Sequence, residues 1–420
     1  MMSKSTTFVA DHVDRDRQWD LLMKIASFGA REDGGVDRPA LSQHDVNARN
    51  YLIDWAESRG LKAFQDRAAN LYIRLEGRNP DLPSLLIGSH LDSQPTGGKF
   101  DGAYGVIAGC EVIAAFQDAG ITPERSIEAV SWTNEEGSRF LPGATGSSSF
   151  AGVRDLVDMR EATTTDGCRV GEEIDKVIEA TRAECRKEGD PKAFGHLEAH
   201  IEQGPILERE KLRIGVVEGI QGVARVKISI DGEAAHAGTT PHQLRRDAVV
   251  SMTRIIQALV PLTQDADDIL RLTFGRIEVE PNVPNTVPEK AAITIDLRHP
   301  DASEIERVIK RMEEVAEEFA SPCTARVEKI SNVDPVEFAP QVINTIEAAA
   351  QALDEPYLRI VSGAGHDSLH LAKICPTGMI FVPCDRGISH NPEESASPED
   401  LAVGTRVLAH AAFNLIDANR

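Results

Sequence analysis

The apolar run Leu85-Leu86-Ile87 leads directly into Gly88-Ser89-His90-Leu91-Asp92-Ser93-Gln94-Pro95-Thr96-Gly97-Gly98-Lys99-Phe100-Asp101-Gly102-Ala103-Tyr104-Gly105, and Val106 to Phe116 follows, apolar nearly all round. A helix without a polar side needs cover on every side, and a continuously apolar strand needs it on both faces. The stretch therefore belongs inside a layered α/β domain. Its glycine-rich loop, with a neutral imidazole followed by carboxylates, offers what a divalent cation takes up, and has the backbone freedom to bring those groups to one point.

The pattern recurs along the chain. Val9 to Ser27 and Asp45 to Arg59 have apolar positions at helical spacing, Gly60 marks a helix stop, and Leu71 to Leu75 reads as a strand. Ile127 to Trp132 is a strand that ends in Thr133-Asn134-Glu135-Glu136-Gly137. A polar helix over Glu172 to Glu188 precedes a strand over His196 to Ile201, which ends in Glu202-Gln203-Gly204-Pro205. Polar chemistry thus gathers where strands end, the edge of an open α/β sheet at which ligands bind.

From Arg213 the texture changes to strands at Arg213 to Glu218, Val223 to Asp231, Leu272 to Val279 and Ala291 to Arg298, with helices at Leu244 to Val260 and Ala302 to Phe319. That order predicts a small ferredoxin-like α+β module over residues 214–327. Pro281, Pro284 and Pro288 should stiffen a loop within it. A helix at Val342 to Leu353, a strand near Leu358, a helix at Asp367 to Ile374 and a strand at Met379 to Val382 then restore α/β character. The predicted fold class is α/β: a discontinuous catalytic domain, residues 1–213 and 328–420, built on a central mostly parallel sheet, plus the inserted module. A chain of 420 residues is long enough for both.

A formal charge of -22 opposes a broad phosphate-binding surface, so nucleic acid is not an expected partner. Met1 to Asp14 lacks the pattern of a secretory leader, and no apolar run approaches the ~20 residues that span a bilayer. No membrane association is expected, and the cytoplasm is the expected compartment. Six cysteines, scattered with no C-x-x-C pair, imply neither a disulfide framework nor a zinc ribbon.

Four segments supply His, Asp and Glu at strand ends: His90 with Asp101, Glu135 with Glu136, His200, and His390 in Gly387-Ile388-Ser389-His390-Asn391. Together they could hold two cations that share Asp101, with His90 and one further His on one side and Glu136 and the other His on the other. A carboxylate bridge keeps two ions ~3.5–4 Å apart, which suits hydrolysis at neutral pH. Glu135 and Glu136, as neighbours on an extended strand end, point to opposite sides, so one can ligate while the other moves a proton. Asp92 is placed to accept the second ring N–H of His90 and fix its tautomer.

These motifs, with His200-Ile201-Glu202-Gln203-Gly204-Pro205 and Ser362-Gly363-Ala364-Gly365-His366-Asp367, resemble the N-carbamoyl-amino-acid hydrolase and allantoate amidohydrolase family, within the binuclear-metal aminoacylase and carboxypeptidase superfamily. The resemblance spans roughly residues 15–417. It implies that His90, Asp101, Glu136, His200 and His390 are metal ligands, that Glu135 is the general acid/base and that Asp92 supports His90. It implies two divalent ions, Zn²⁺ or Mn²⁺ with Co²⁺ or Ni²⁺ as alternatives, and a homodimer in which the inserted module is a dimerisation lid. Within Ala235-His236-Ala237-Gly238-Thr239-Thr240-Pro241, His236 resembles the residue that polarises the scissile carbonyl in the partner's site. Asn285 and Arg298 match positions that hold the substrate carboxylate, while Gln203, Gly365 and His366 face or shape the pocket. His242 and Ser368 depart from the usual Met and Ala.

The implied activity is hydrolysis of an N-carbamoyl α- or β-amino acid to the amino acid, ammonia and carbon dioxide. Gln94 to Lys99 looks nearer to β-ureidopropionate-type members than to allantoate ones. Allantoate or ureidoglycolate hydrolysis is the alternative, then an aminoacylase or peptidase. A nucleotide enzyme is disfavoured because Gly97-Gly98-Lys99 lacks the spacing and the Ser/Thr of a Walker loop. A serine hydrolase is disfavoured because Gly146-Ser147-Ser148-Ser149-Phe150 does not complete G-x-S-x-G. A catalytically inert metal protein would not need both Glu135 and Glu136.

Overall fold

The computed structural model describes residues 9–164, 167–186, 193–264 and 269–417. Residues 1–8 of the N-terminal stretch and the last two positions of the helix expected over 172–188 lie outside them. The chain divides into two compact units, Met1–Glu218 with Glu337–Arg420, and Gly219–Val336.

The larger unit is built on a ten-stranded mixed sheet. Its centre is four strands, β1 (Leu85–His90), β2 (Ile127–Trp132), β3 (Gly195–Ile201) and β4 (Thr377–Val382), in the spatial order β4-β3-β1-β2 and parallel throughout. Every residue of these four is buried, as strands covered by helices on both faces must be. Ile214–Ile220 pairs antiparallel with β4, and beyond β2 comes antiparallel Leu71–Leu75, with Lys62–Gln65 antiparallel to that strand in turn. The helix Ala103–Asp118 is buried from Ala103 to Phe116, in keeping with its lack of a polar side. The helix Pro398–Asp417, which the sequence reading did not pick out, packs on it.

The smaller unit is a four-stranded antiparallel sheet, in the spatial order Arg271–Glu280, Lys290–His299, Gly222–Asp231, Thr324–Val333. The two central strands alternate buried and less buried residues, so one face turns to a core. Helices Ala248–Leu259 and Ala302–Phe319 supply that core. The second of them buries Ile305, Val308, Ile309, Met312, Val315 and Ala316 at helical spacing. Asp247 and Asp301 cap the two helices by accepting N–H groups of their first turns.

The unit boundaries differ from residues 214–327. Ile214–Ile220 reads as the first strand of the insert, but its residues Gly215 to Val217 pair with β4. The strand Thr324–Val333 closes the small sheet against Gly222–Asp231 and carries the unit on to Val336. Both differences are of partner choice between strands, which local patterning leaves open.

Candidate metal centre

All the strand-end residues singled out in the larger unit come from the carboxyl edge of the four parallel strands. His90 ends β1, His200 is the last but one residue of β3, Glu135 and Glu136 follow β2, and His390 lies in the loop after β4. Asp101 returns to this edge just before the helix Ala103–Asp118. Two groups of side chains form around it: His90, Asp101 and His200, and Asp101, Glu136 and His390, the potential ligand atoms of each lying within 4.8 Å of one another.

Asp101 Oδ1 is 3.7 Å from His90 Nε2 and 3.1 Å from His200 Nε2. Its Oδ2 is 3.2 Å from His390 Nε2, which is 3.4 Å from Glu136 Oε2. His200 therefore joins His90, and His390 joins Glu136. The first group is buried, whereas His390 is half exposed.

The ring orientations suit a cation. His90 Nδ1 donates to the Asp92 carbonyl at 2.9 Å and His200 Nδ1 to the Ile201 carbonyl at 2.8 Å. A carbonyl can only accept, so each Nδ1 carries a proton, and each Nε2, which faces Asp101, is the nitrogen a cation would take in place of a proton. Asp92, Asp101, Glu135, Glu136 and Glu394 are gathered with little solvent around these rings. Such an excess of buried carboxyl groups needs positive charge, and the donor set of imidazole and carboxylate oxygen suits divalent ions.

Electrostatics across the cluster run in opposed directions. Burial, then the charges of Asp367 and Glu136, push Glu135 well above the ordinary carboxylate range. Burial and Asp101 push Glu136 up to about 8. At Asp101 burial is outweighed by the hydrogen bonds of His200 and His390, which hold it well below the usual range. Asp101 in turn raises His200 to about 9 against the effect of its burial, and raises His390 to about 9. Protons thus occupy positions for which a divalent ion would compete.

That balance sets a pH dependence for the chelator-treated protein. Glu136 (about 8) and Glu394 (raised by burial to about 7) bind protons in the folded chain at pH values where the unfolded chain has lost them. Above about pH 6.5, where the buried and lowered His90, His196, His366 and His370 have lost their protons in both states, the folded state holds more protons, so stability falls toward pH 8, and the two raised histidines extend the fall toward pH 9. The melting temperature in chelator is expected to drop between about pH 6.5 and 8.5, and a divalent ion is expected to raise it more at the upper end of that range than at the lower. A melting temperature that climbs over that interval in chelator would contradict this assignment.

The loop after β2 departs from the extended strand end assumed from the sequence. Asn134 is left-handed (φ 56°) and its side-chain amide donates to the Phe140 carbonyl and to Thr145 Oγ1, each at 2.8 Å, so Glu135 and Glu136 lie in a turn. Asp92 also differs from expectation. Its carboxylate is 3.9 Å from His90 Nδ1 and instead accepts the N–H groups of Glu135 and Glu136, at 3.2 Å each. The backbone carbonyl of Asp92 holds the ring while its side chain holds the turn. Gln94 fixes Glu136 through Nε2 to Oε2 at 2.7 Å, and Glu135 Oε2 stands 3.5 Å from His90 Nε2.

Close approach explains Gly102. Its φ is +64°, and a Cβ there would lie 2.3 Å from His90 Cε1. Gly102→Ala is expected to cost about 1–3 kcal/mol through backbone strain and the clash, and to weaken metal uptake by displacing the ring. Denaturant unfolding and metal titration read the two effects separately.

Gln203, expected to face substrate, gives its amide nitrogen to Asp101 Oδ2 at 3.0 Å and to Ser389 Oγ at 3.1 Å, while its Oε1 is buried without a protein partner. His366 is buried against the ring of His200, with centroids 4.5 Å apart, and its Nε2 pairs with the Ser362 hydroxyl at 2.9 Å. Gly365 is exposed. Ser368 uses the hydroxyl that distinguishes it from Ala to reach buried Glu198 at 2.6 Å, and Ser89 reaches the other oxygen of that carboxylate at 2.6 Å.

In the smaller unit, His236 and Asn285 come together: Ala235–His236 pairs with Thr286–Val287, and Ala237 N donates to the Asn285 carbonyl at 3.1 Å. Both side chains are exposed, as is His242. Arg298 donates through Nε to Asp296, two residues earlier on the same strand, at 2.7 Å, so its fork is partly engaged.

Two participants escaped the sequence reading. Glu394 is buried and accepts the N–H groups of Phe100 and Asp101 at 2.9 and 3.1 Å. Ser389 Oγ lies 3.1 Å from Asp101 Oδ2. Glu394 stands in a polar run that reads as an exposed loop; only its distance of four residues from His390 hints at a shared task.

The family described as Peptidase family M20/M25/M40 matches residues 86–414. An N-carbamoyl-L-amino-acid amidohydrolase of Rhizobium meliloti is 37% identical over 405 residues, covering 96% of each chain. A ureidoglycolate hydrolase of Arabidopsis thaliana is 36% identical over 401 residues, 92% of this chain and 83% of that one. The crystal structure of an amidase of the hydantoinase/carbamoylase family from Burkholderia multivorans is 40% identical with a TM-score of 0.88, over 96% of this chain and 98% of that one. With a carboxylate shared between two His-bearing groups at the sheet edge and likeness along nearly its whole length, the chain belongs to peptidase family M20/M25/M40, on its hydantoinase/carbamoylase amidase side, and is a hydrolase of carbon–nitrogen bonds outside peptides.

Proposed function

We propose that this protein is a metal-dependent amidohydrolase that cleaves the ureido C–N bond of an N-carbamoyl α- or β-amino acid, giving the amino acid, ammonia and carbon dioxide. The observation that carries the reading is Asp101, one oxygen toward His90 and His200 and the other toward His390 beside Glu136. His90, Asp101 and His200 would hold one ion, and Asp101, Glu136 and His390 a second; Zn²⁺, Mn²⁺, Co²⁺ and Ni²⁺ all suit the set. Divalent ions there supply Lewis acidity to the carbonyl and lower the pKa of water. Glu135, next to His90 and with a raised proton affinity, takes a proton from the attacking water and returns it to the departing nitrogen.

Asp92 keeps Glu135 and Glu136 in register by holding their N–H groups. The buried, unpartnered Oε1 of Gln203 is an acceptor suited to a ureido N–H. Gly365 and His366 border the substrate pocket. The smaller unit, in a ferredoxin-like arrangement, serves as dimerisation lid of a homodimer. From it, exposed His236 donates to the developing oxyanion in the partner's site, and Asn285 and Arg298 take the substrate carboxylate, for which the Arg298 fork exchanges its hold on Asp296. Six unpaired cysteines suit the reducing cytoplasm. Among the described residues no helix is long and apolar enough to cross a membrane.

The Arabidopsis relative favours ureidoglycolate as a second substrate reading. Ammonia release from N-carbamoyl-β-alanine, several N-carbamoyl-L-amino acids, allantoate and ureidoglycolate, after reconstitution with each metal, separates the readings. Release is expected from an N-carbamoyl amino acid; silence with all four classes would leave an aminoacylase.

A further inference from the structure

Glu394 belongs to no ligand group, yet it is 4% exposed and fully engaged. Its Oε1 accepts the N–H groups of Phe100 and Asp101, and its Oε2 lies 2.9 Å from Ser389 Oγ. That hydroxyl is also 3.1 Å from Asp101 Oδ2 and 3.1 Å from Gln203 Nε2. It has one proton for two carboxylates, and the shorter contact assigns it to Glu394. The amide of Gln203 has two N–H groups, one for Ser389 and one for Asp101 Oδ2 at 3.0 Å. The hydrogen bonds close on themselves, running from the Asp101 carboxylate through Gln203, Ser389 and Glu394 back to the Asp101 N–H.

This circuit ties the Asp101 loop to the loop that ends in His390. The fit is tight: a Cβ at Gly98 would lie 2.1 Å from Glu394 Oε1. The two groups around Asp101 depend on it unequally. His90 and His200 are buried and each is anchored by a backbone carbonyl, whereas His390 is half exposed and directly follows Ser389.

We propose that Glu394 is a positioning residue which, through Ser389 and Gln203, fixes the Asp101 carboxylate against His390 and so sets the metal affinity of the Asp101, Glu136 and His390 group. The inference rests on the two-ion reading above. Loss of a hydrogen-bonded partner behind a ligand typically weakens metal binding 10–100-fold, and here the loss should fall on one group alone.

The test titrates the chelator-treated full chain with Co²⁺, read by calorimetry and by the visible cobalt spectrum, beside thermal unfolding. For the unsubstituted chain two binding events are expected. Glu394→Ala should weaken one of them about 10–100-fold and change one component of the spectrum, leaving the other in place. Glu394→Gln, which keeps an acceptor for both N–H groups and can donate to Ser389, should restore both. Ser389→Ala opens the circuit with a smaller change and should act in the same direction; it decides the matter if Glu394→Ala does not fold. The inference is overturned if the Ala variants bind both ions as the unsubstituted chain does, if they lose both equally, or if Glu394→Gln behaves as Glu394→Ala. An unsubstituted chain that takes up no cobalt overturns the metal reading itself, and this inference with it; normal uptake that the Ala variants leave unchanged overturns only the inference.

Discussion

Glu135→Gln is expected to lower kcat by about 10²–10⁴-fold, the usual worth of a positioned acid or base, with metal content unchanged. The amide keeps the size of the side chain, and the backbone N–H bond to Asp92 is untouched, but it cannot take a proton from water. Glu135 lies outside both groups around Asp101, although its Oε2 comes within 3.5 Å of His90 Nε2. Metal analysis beside steady-state ammonia release checks both halves; turnover within about threefold of the unsubstituted enzyme would remove Glu135 from the proton-transfer role. The raised proton affinity of Glu135 has burial as its main cause, with Asp367 and Glu136 adding to it, which makes the residue a better proton carrier than an exposed glutamate.

Asp101→Asn is expected to have the larger effect on metal. Asp101 alone belongs to both groups, so a neutral amide there weakens both at once, by more than the 10–100-fold expected for a supporting residue. Both cobalt binding events should weaken together, in contrast with Glu394→Ala, and activity should fall below about 10⁻³ of the unsubstituted level. The amide also brings N–H donors toward His390 or His200, whose Nε2 atoms stand 3.2 and 3.1 Å from the present oxygens. Asp101→Asn protein that takes up two ions with unchanged affinity would show that Asp101 is not shared.

Much of the fold was legible where a strand was mostly apolar without alternation. The runs Leu85-Leu86-Ile87 and Ile127 to Trp132 could be placed because burial on both faces leaves no polar alternation. Short outlying strands such as Lys62–Gln65 were not, since four residues with one exposed end have no pattern distinct from a loop, and this one is held by pairing with Leu71–Leu75 and Glu184–Cys185. The strand Thr324–Val333 was missed for a related reason: most of its residues are exposed, with Arg326, Glu328 and Lys329 charged, and its place comes from pairing with Gly222–Asp231.

At the site, legibility followed chemistry. His90, Asp101, Glu136, His200 and His390 stand out because imidazoles and carboxylates at the ends of apolar strands have few other uses. Glu394 did not, because a glutamate in a polar run reads as solvated until backbone N–H groups are found pointing at it. The Asp92 carboxylate was assigned to the nearest ring in sequence, yet the turn after β2 comes closer in space.

The opening loop of strand, ligands and apolar helix was therefore enough, by itself, to determine an α/β sheet edge with a cation-binding character, because burial and ligand chemistry are properties of residue type. Which histidine serves which side of Asp101 was decided only by the tertiary structure. Strand order puts β3 beside β1, so His200 joins His90, and the loop after β4 brings His390 to Glu136. Chain order carries no such information: sheet neighbours are selected by packing over the whole core, and the hydrogen-bonded circuit through Glu394 exists only once those neighbours have met.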